Sequence, residues 1–242
     1  MKILLPNAKE LNTNQDAQPT DQAASVSQPV LQQLLTYSPA DLAGFYKIRP
    51  EKAQLEYDRF QRIAQSSASV YPALHLYDGL MYRYMRRREW TDEEQTYWQE
   101  RVRIATGLYG LIAPLTLIAP HRLDFQGRIE IEGGSLKHYW RSFYDQEVAD
   151  SQEILSLLSS EFEQAFSPRV QARMTRVVFM EEKDGQLKTH STISKKGRGR
   201  LVSLLATQQI TCVDAVRGLV VDDFVYQETA SSEKTLVFVR KV

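Results

Sequence analysis

The segment from Arg101 to Phe125 constrains the fold of this chain most, because it is the most apolar stretch and contains the clearest turn. An amphipathic run from Thr91 leads into a turn in which Gly107 and Gly110 flank two apolar residues. Glycine permits a positive φ or a close backbone approach, and it often ends a helix. A second apolar run follows. The pattern predicts the outline of a helix-hairpin-helix, whose glycine amides are able to approach a phosphate; the alternative is an ordinary glycine cap before a buried core segment.

Length and composition indicate one globular domain. The chain has 242 residues, 43% of them hydrophobic, which suffices for a sizeable core. No apolar stretch reaches the roughly 20 residues of a membrane span, and Pro6 interrupts the apolar start before it can act as a signal peptide. We therefore expect a cytoplasmic protein with no membrane partner.

Charge and cysteine content narrow the classes of site. Thirty basic and thirty acidic residues cancel, so an anionic partner must be held by local clusters. The single cysteine, Cys212, excludes an intramolecular disulfide and a cysteine-based metal cluster within one chain, and we expect it to be buried. The four histidines lie far apart in sequence, so we expect no metal site and no cofactor.

The first third of the chain predicts a strand followed by helices. Lys2 to Leu5 form the strand, Pro6 ends it, and Lys9 is left at its carboxyl end. Residues 12–29 are too polar to pack and are interpreted as a surface loop. Helices are predicted from Val30, after the Ser38 cap, and from Pro50, and residues 71–76 are predicted to be extended and buried. A basic cluster follows, and we expect it to be the solvated end of a helix at the rim of any binding site; the cluster comprises Arg83, Arg86, Arg87 and Arg88.

Polar residues follow a second predicted strand further along the chain. The aromatic stripe at 136–144 predicts a core helix, and residues 154–158 predict a buried strand. Ser159 and Glu161 come at the carboxyl end of that strand, where they are expected either to start a helix or to hold a polar ligand.

A β-hairpin is predicted near residue 185. Residues 175–180 and 187–193 alternate in the manner of strands, and Asp184-Gly185 is the turn. The second strand leads into a cationic cluster at the predicted start of a helix, which comprises Lys195, Lys196, Arg198 and Arg200. Cations are unfavourable at a helix N-terminus unless an anion compensates them, so the cluster predicts a phosphate or carboxylate site. The alternative is a basic turn paired with nearby carboxylates.

Several blocks in order resemble the YaaA family of bacterial peroxide-stress proteins. The family patterns S-P-A-K-T-L, S-G-L-Y-G-V-L-R-P-L, P-Y-R-L-E, N-L-A-S-x-E-Y and K-K-A-R-G match residues 6–11, 106–115, 120–124, 156–162 and 195–199. The resemblance covers nearly the whole chain. It departs from the family at Pro6, Asn7, Ala113, Ser156 and Phe162.

The resemblance implies a fold, a set of site residues and a cellular role. It implies an α/β (mixed α+β) single domain spanning residues 1–242, in which helices surround a mixed sheet, with a helix-hairpin-helix-like element and a basic cleft. It also implies association with DNA and protection against hydrogen peroxide through limiting free iron. Ala113 replaces the hairpin arginine of the family, which weakens the phosphate binding that the hairpin would supply. The matching charged residues are Lys9, Arg122, Glu161, Lys195, Lys196 and Arg198.

Two functional hypotheses follow. In the first, the protein binds double-stranded DNA non-specifically through phosphate contacts. Those contacts come from Gly107, Gly110, Lys9, Arg122, Lys195, Lys196 and Arg198. In the second, the protein is an enzyme that acts on a small phosphorylated or nucleoside-like substrate in the same cleft, with Lys9 and Glu161 as candidate catalytic residues. Direct iron chelation is disfavoured because no histidines form a ligand-spaced pair.

Overall fold

The computed structural model describes residues 1–242. The strands are β1 (Lys2–Pro6), β2 (Tyr71–Pro72), β3 (Val102–Thr106), β4 (Gly110–Ile112), β5 (Leu117–Ile118), β6 (Glu130–Ile131), β7 (Gly134–Ser135), β8 (Ile154–Ser156), β9 (Met174–Lys183), β10 (Gln186–Lys188), β11 (Val220–Val221), β12 (Phe224–Tyr226) and β13 (Thr235–Lys241). The helices are α1 (Gln28–Leu35), α2 (Pro39–Tyr46), α3 (Pro50–Ala64), α4 (Ala73–Leu76), α5 (Leu80–Arg83), α6 (Asp92–Arg101), α7 (Leu136–Glu147), α8 (Ser160–Glu163), α9 (Pro168–Gln171), α10 (Ser191–Thr207) and α11 (Val213–Val216). Short 3-10 turns lie at Thr20–Gln22 and Glu228–Ala230.

A nine-stranded mixed sheet forms the centre of the molecule. Its order is β11-β12-β13-β9-β8-β1-β3-β4, with β10 paired to β9. The five strands from β13 to β3 run parallel, whereas β4, β10, β11 and β12 pair antiparallel. Ile3 of β1 pairs with Val102 on one side and Leu155 on the other. The predicted mixed α/β class is confirmed.

The chain leaves the two central strands in opposite directions. After β1 it crosses to β3 on one side, and after β8 it proceeds to β9 and β13 on the other side. In an open parallel sheet, such a reversal of strand order leaves a crevice beyond the carboxyl ends of the two strands. The carboxyl edge of β1 and β8 is therefore where this topology places a site.

One hydrophobic core unites the chain. A single cluster of 57 buried residues extends from Ile3 in the first strand to Phe238 in the last, so the sheet and its helices form one domain. Helix α10 packs on β9 and α5, and α7 packs on β4. None of the helices is both long enough and apolar enough to cross a bilayer.

Local signals account for several of the elements. Ser38 and Asp41 form a capping box that starts α2, with Pro39 in the first turn, as predicted. The predicted helix from Pro50 and the first strand are also confirmed. Residues 71–76 are extended only at Tyr71–Pro72 and continue as α4, so that part of the prediction was wrong. The backbone of Ala73 and Leu74 bonds to Thr116 and Pro114, which a local pattern does not reveal.

Candidate functional site

A cleft of about 390 Å³ lies at the carboxyl edge of β1 and β8. Its walls come from the segment that follows β1, from α5, from the loop around residue 125, from the start of α8 and from α10. A volume of this size is typical of sites for small molecules. The charged residues that line it are Lys9, Glu10, Asp124, Glu161, Lys195 and Arg198.

Lys9 is held on one wall by Asp124 and Gln126. Its Nζ donates to Gln126 Oε1 at 2.7 Å and lies 3.2 Å from Asp124 Oδ2. Asp124 is buried and also accepts a hydrogen bond from the Gln126 backbone N–H at 2.9 Å. Asn7 donates to the Leu123 carbonyl at 2.7 Å, which ties the segment after β1 to this loop. The strand therefore delivers Lys9 to the cleft, and a distant loop orients it.

Arg198 reaches the opposite wall from α10 and is held at the carboxyl end of β8. Its guanidinium donates to the carbonyl oxygens of Leu158 at 3.0 Å and Leu157 at 3.4 Å. Its Nε is buried without a hydrogen-bond partner. Burial lowers the pKa of Arg198, and the nearby Glu163 carboxylate opposes that shift. The cation thus has neutral carbonyl partners and no direct ion pair.

Lys195 and Glu161 are the other side chains that the cleft leaves unpaired. Neither forms an ion pair or a side-chain hydrogen bond, although both line the cleft. Glu161 lies in the first turn of α8, directly after β8, and Lys195 lies one helical turn before Arg198. The cleft therefore offers a ligand two cations and one carboxylate that have no ion-pair partner.

The charge of this cleft is mixed. Its three cations face three carboxylates, those of Glu10, Asp124 and Glu161. Glu10 is itself paired with Arg83. The expected basic cleft is therefore not what the structure contains, because carboxylates and cations line it in equal number.

Arg122 and Lys196 lie outside the cleft. The Arg122 guanidinium stacks 4.9 Å from the ring centroid of Tyr46, and its backbone N–H donates to Glu56 at 3.0 Å. Lys196 Nζ lies 5.0 Å from the ring centroid of Tyr84, on a neighbouring surface of α10. Of the predicted phosphate-binding residues, the structure brings together Lys9, Lys195 and Arg198, with Glu161 beside them.

Gly107 and Gly110 belong to a β-hairpin, so the predicted helix-hairpin-helix was wrong. The preceding helix ends at Arg101, and the glycine turn joins β3 to the antiparallel β4. Thr106 closes the turn, since its Oγ1 accepts from Tyr109 N–H at 2.8 Å and donates to Gly110 O at 3.0 Å. Both glycines are buried: a Cβ would lie 2.7 Å from Leu123 at Gly107 and 2.8 Å from Trp140 at Gly110. Both glycines are therefore inaccessible to the phosphate of a duplex.

The cationic cluster lies inside α10 and not at its N-terminus. The helix begins at Ser191, where a strand was predicted, because β10 ends at Lys188 and Thr189 Oγ1 donates to Phe179 O at 3.1 Å. Gly197 packs directly on Phe179, where a Cβ would lie 2.5 Å from the ring, and Gly199 faces the Met81 carbonyl. These glycines permit close packing of α10 on β9 and α5. Because these cations do not lie at the helix N-terminus, the argument that an anion must compensate them there no longer holds.

The earlier arginine cluster and the cysteine also differ from expectation. Arg87 donates to the carbonyls of Leu74 and Tyr77 at 3.2 and 2.8 Å, and Arg86 pairs with the buried Glu94. These two arginines stabilise the fold, whereas Arg88 is exposed. Cys212 is exposed, not buried, since it precedes the short α11 at the surface.

Sequence reasoning missed Asp124 and Gln126 as site residues. Asp124 ends the block at 120–124, and its carboxylate was the available signal, but only the fold places it beside Lys9. His121 in the same block is fully buried and packs on Tyr109 at 5.1 Å between ring centroids. No group of three or more His, Cys, Asp or Glu side chains is arranged to hold a metal ion.

Comparison with known proteins identifies the family. A family model described as "Peroxide stress protein YaaA" matches residues 1–230. A "UPF0246 protein" of Streptococcus gordonii is 48% identical over 242 residues, covering 100% of this chain and 99% of the relative. Relatives named in the same way from Streptococcus sanguinis and Streptococcus pneumoniae are 44% and 45% identical, each with both chains fully covered. The chain belongs to the YaaA family of peroxide stress proteins, which confirms the resemblance.

Proposed function

We propose that this YaaA-family protein binds a small anionic molecule, phosphorylated or nucleoside-like, in the cleft at the ends of β1 and β8, and that it serves the peroxide-stress response through this ligand. The observation that carries the proposal is the pair of cations, Lys195 and Arg198, that enter the cleft without a carboxylate partner. An anionic group placed between them gains charge-assisted hydrogen bonds. The cleft volume, about 390 Å³, suits a small ligand better than a duplex.

The remaining side chains suggest roles if the ligand is a substrate. Glu161 has no competing partner, so it is available to accept a proton or bind a hydroxyl group. Lys9 is 46% exposed and paired with Asp124, so it is not the desolvated amine that a nucleophilic lysine requires. We assign Lys9 the part of a charged hydrogen-bond donor to the ligand and Glu161 that of the base.

Calorimetric titration with AMP, ribose 5-phosphate and inorganic phosphate tests this proposal. We expect at least one phosphorylated compound to bind the native protein, and Arg198→Gln to weaken that binding by about tenfold or more, since a charged hydrogen-bond donor is lost. Arg200→Gln is the matched control, because Arg200 lies on the same helix but pairs with Asp222 at 2.6 Å outside the cleft. Equal losses in both variants, or no binding by the native protein, would refute the proposal.

Non-specific binding of double-stranded DNA is a second candidate, supported by the outer surface of α10. Lys196 and the Arg200 guanidinium lie 5.0 and 5.1 Å from the ring centroid of Tyr84, beside the exposed Lys195. Cations interleaved with an aromatic ring are typical of surfaces that contact a phosphate backbone. Neutralising Lys195, Lys196 and Arg200 together is expected to flatten the slope of log affinity against log salt by about 2 to 3. An unchanged slope would remove this candidate.

In the cell, we propose that the bound ligand lets the protein limit iron-dependent oxidative damage, as the family resemblance implies. A strain that carries Arg198→Gln is then expected to be more sensitive to hydrogen peroxide than one carrying Arg200→Gln. A cell-permeable iron chelator is expected to abolish the difference. Sensitivity that the chelator leaves unchanged would argue against the iron-dependent part of the proposal.

A further inference from the structure

A buried carboxylate lies behind the wall of the cleft, at Glu163 in α8. It does not line the cleft, and only 9% of its side chain is exposed. Glu163 Oε2 lies 2.7 Å from Arg176 Nε, and Oε1 accepts a hydrogen bond from Ser156 Oγ at 2.6 Å. Ser156 ends β8, and Arg176 lies on the neighbouring β9. The carboxylate is therefore fixed by β8 and β9.

Two arginines share this one carboxylate. Arg176 is in direct contact with Glu163. Arg198 makes no contact with Glu163, but its guanidinium donates to the carbonyls of Leu157 and Val177, which directly follow Ser156 and Arg176, so it lies close to the same carboxylate. The charge of Glu163 accordingly opposes the effect of burial on the pKa of Arg198. The direct partners of Arg198 are the carbonyls of Leu157, Leu158 and Val177, and its Nε is buried without a partner. Burial makes an uncompensated cation costly, so Arg198 relies on Glu163 when no ligand is present.

We propose that Glu163 is a positioning residue that limits how tightly Arg198 holds an anion, because its negative charge, divided between Arg176 and Arg198, competes with the ligand. This inference rests on the proposed binding of an anion at Arg198. It follows that Glu163 and Arg176 have opposite effects on the affinity of Arg198 for an anion. Removing the charge of Glu163 strengthens the attraction between Arg198 and an anion, and removing Arg176 leaves Glu163 free to oppose it.

The test compares Glu163→Gln with Arg176→Gln in calorimetric titrations with inorganic phosphate at constant ionic strength. We expect Glu163→Gln to bind phosphate about tenfold more tightly than the native protein, as an order of magnitude for one charge removed near the site. We expect Arg176→Gln to bind it about three- to tenfold more weakly. If Glu163 and Arg176 only supported the cleft wall, both variants would bind phosphate more weakly, because disordering the wall would not increase its affinity for an anion.

Two controls separate local charge from other effects. Glu94→Gln removes another buried carboxylate, which pairs with Arg86 and accepts from Thr207 Oγ1 at 2.9 Å near the end of α10, outside the cleft. It changes the net charge equally, and we expect phosphate affinity within about twofold of the native value. Ser156→Ala removes a hydrogen bond to Glu163 and keeps the charge, so we expect little change in affinity.

The outcomes distinguish this inference from the proposed function. If the native protein and all variants fail to bind phosphate or a phosphorylated compound, the proposed anion site itself is wrong. If the native protein binds but Glu163→Gln binds equally or more weakly, Glu163 does not limit the site and the inference alone is overturned. Should Glu163→Gln fail to fold, Arg176→Gln still decides, because unchanged or tighter phosphate binding in that variant contradicts the inference.

Discussion

Replacing His121 with Asn is expected to remove a specific part of the acid sensitivity of this fold. His121 is fully buried, and its Nδ1 lies 2.9 Å from the Ala119 carbonyl oxygen, while Nε2 has no partner. Burial lowers the pKa of His121 from 6.5 to about 4; the Ala119 carbonyl opposes the shift and the Arg59 charge adds to it. The folded protein therefore requires the neutral imidazole.

The size of the effect follows from the difference between the folded and unfolded pKa values. A pKa that is lower in the folded state gives stability that is present above about pH 6.5 and lost as the pH falls towards 4. About 2.5 pH units at about 1.4 kcal/mol each correspond to a total of about 3 kcal/mol, of which about 2 to 3 kcal/mol is lost between pH 7.5 and 4.5. Between these two pH values, we expect the free energy of unfolding to fall by about 2 to 3 kcal/mol more for the native protein than for His121→Asn.

Urea unfolding of both proteins at pH 7.5 and 4.5 measures this difference. The constant cost of the substitution cancels when each protein is compared with itself at the two pH values. Glu56, whose pKa burial raises, titrates in both proteins and cancels in the same way. If the two proteins lose equal stability on acidification, His121 does not titrate as its burial requires and the reasoning is refuted.

Two further predictions concern residues that the turn and the arginine cluster contribute to the fold. Gly110→Val is expected to lower the free energy of unfolding by about 3 kcal/mol or more, because Gly110 has φ +76° and a Cβ there meets Trp140. Gly133 has φ +79° but lies in open space, so Gly133→Ala is expected to lower it by about 1 kcal/mol. Both values are measured in the same urea assay. Equal losses would show that the packing of Trp140 is not decisive. Arg87→Ala is expected to destabilise the protein by about 2 kcal/mol, because it loses the contacts with two backbone carbonyls and with Asp78. Arg88→Ala is expected to destabilise it by less than about 0.5 kcal/mol. If thermal unfolding shows the larger loss for Arg88→Ala, the structural role assigned to Arg87 is wrong.

The strands that position the site could be predicted because their side chains are buried on both faces. Lys2–Pro6 and Ile154–Ser156 lie in apolar runs that are followed by polar residues, and parallel pairing places the carboxyl ends of both strands at one edge. Lys9 and Glu161 were therefore recognisable as site candidates from their position after a strand.

The remaining features depend on contacts that local patterns do not encode. A glycine turn after an apolar run fits a helix end or a hairpin equally well, and only the pairing of Ile104 with Ile112 decides for the hairpin. The start of α10 depends on the end of β10 at Lys188 and on the bond from Thr189 to the Phe179 carbonyl. The partner of Lys9 is Asp124, which lies far away in sequence. The mixed charge of the cleft could not be predicted for the same reason, because its carboxylates come from parts of the chain that are far apart in sequence.

A crystal structure of the protein grown with AMP tests the proposed site most directly. The proposal predicts the phosphate group within hydrogen-bond distance of both Arg198 and Lys195, at the ends of β1 and β8, with the remainder of the ligand beside Glu161. A nucleotide bound instead on the outer face of α10, at Lys196 and Arg200, with the cleft still empty at saturating AMP, would contradict it.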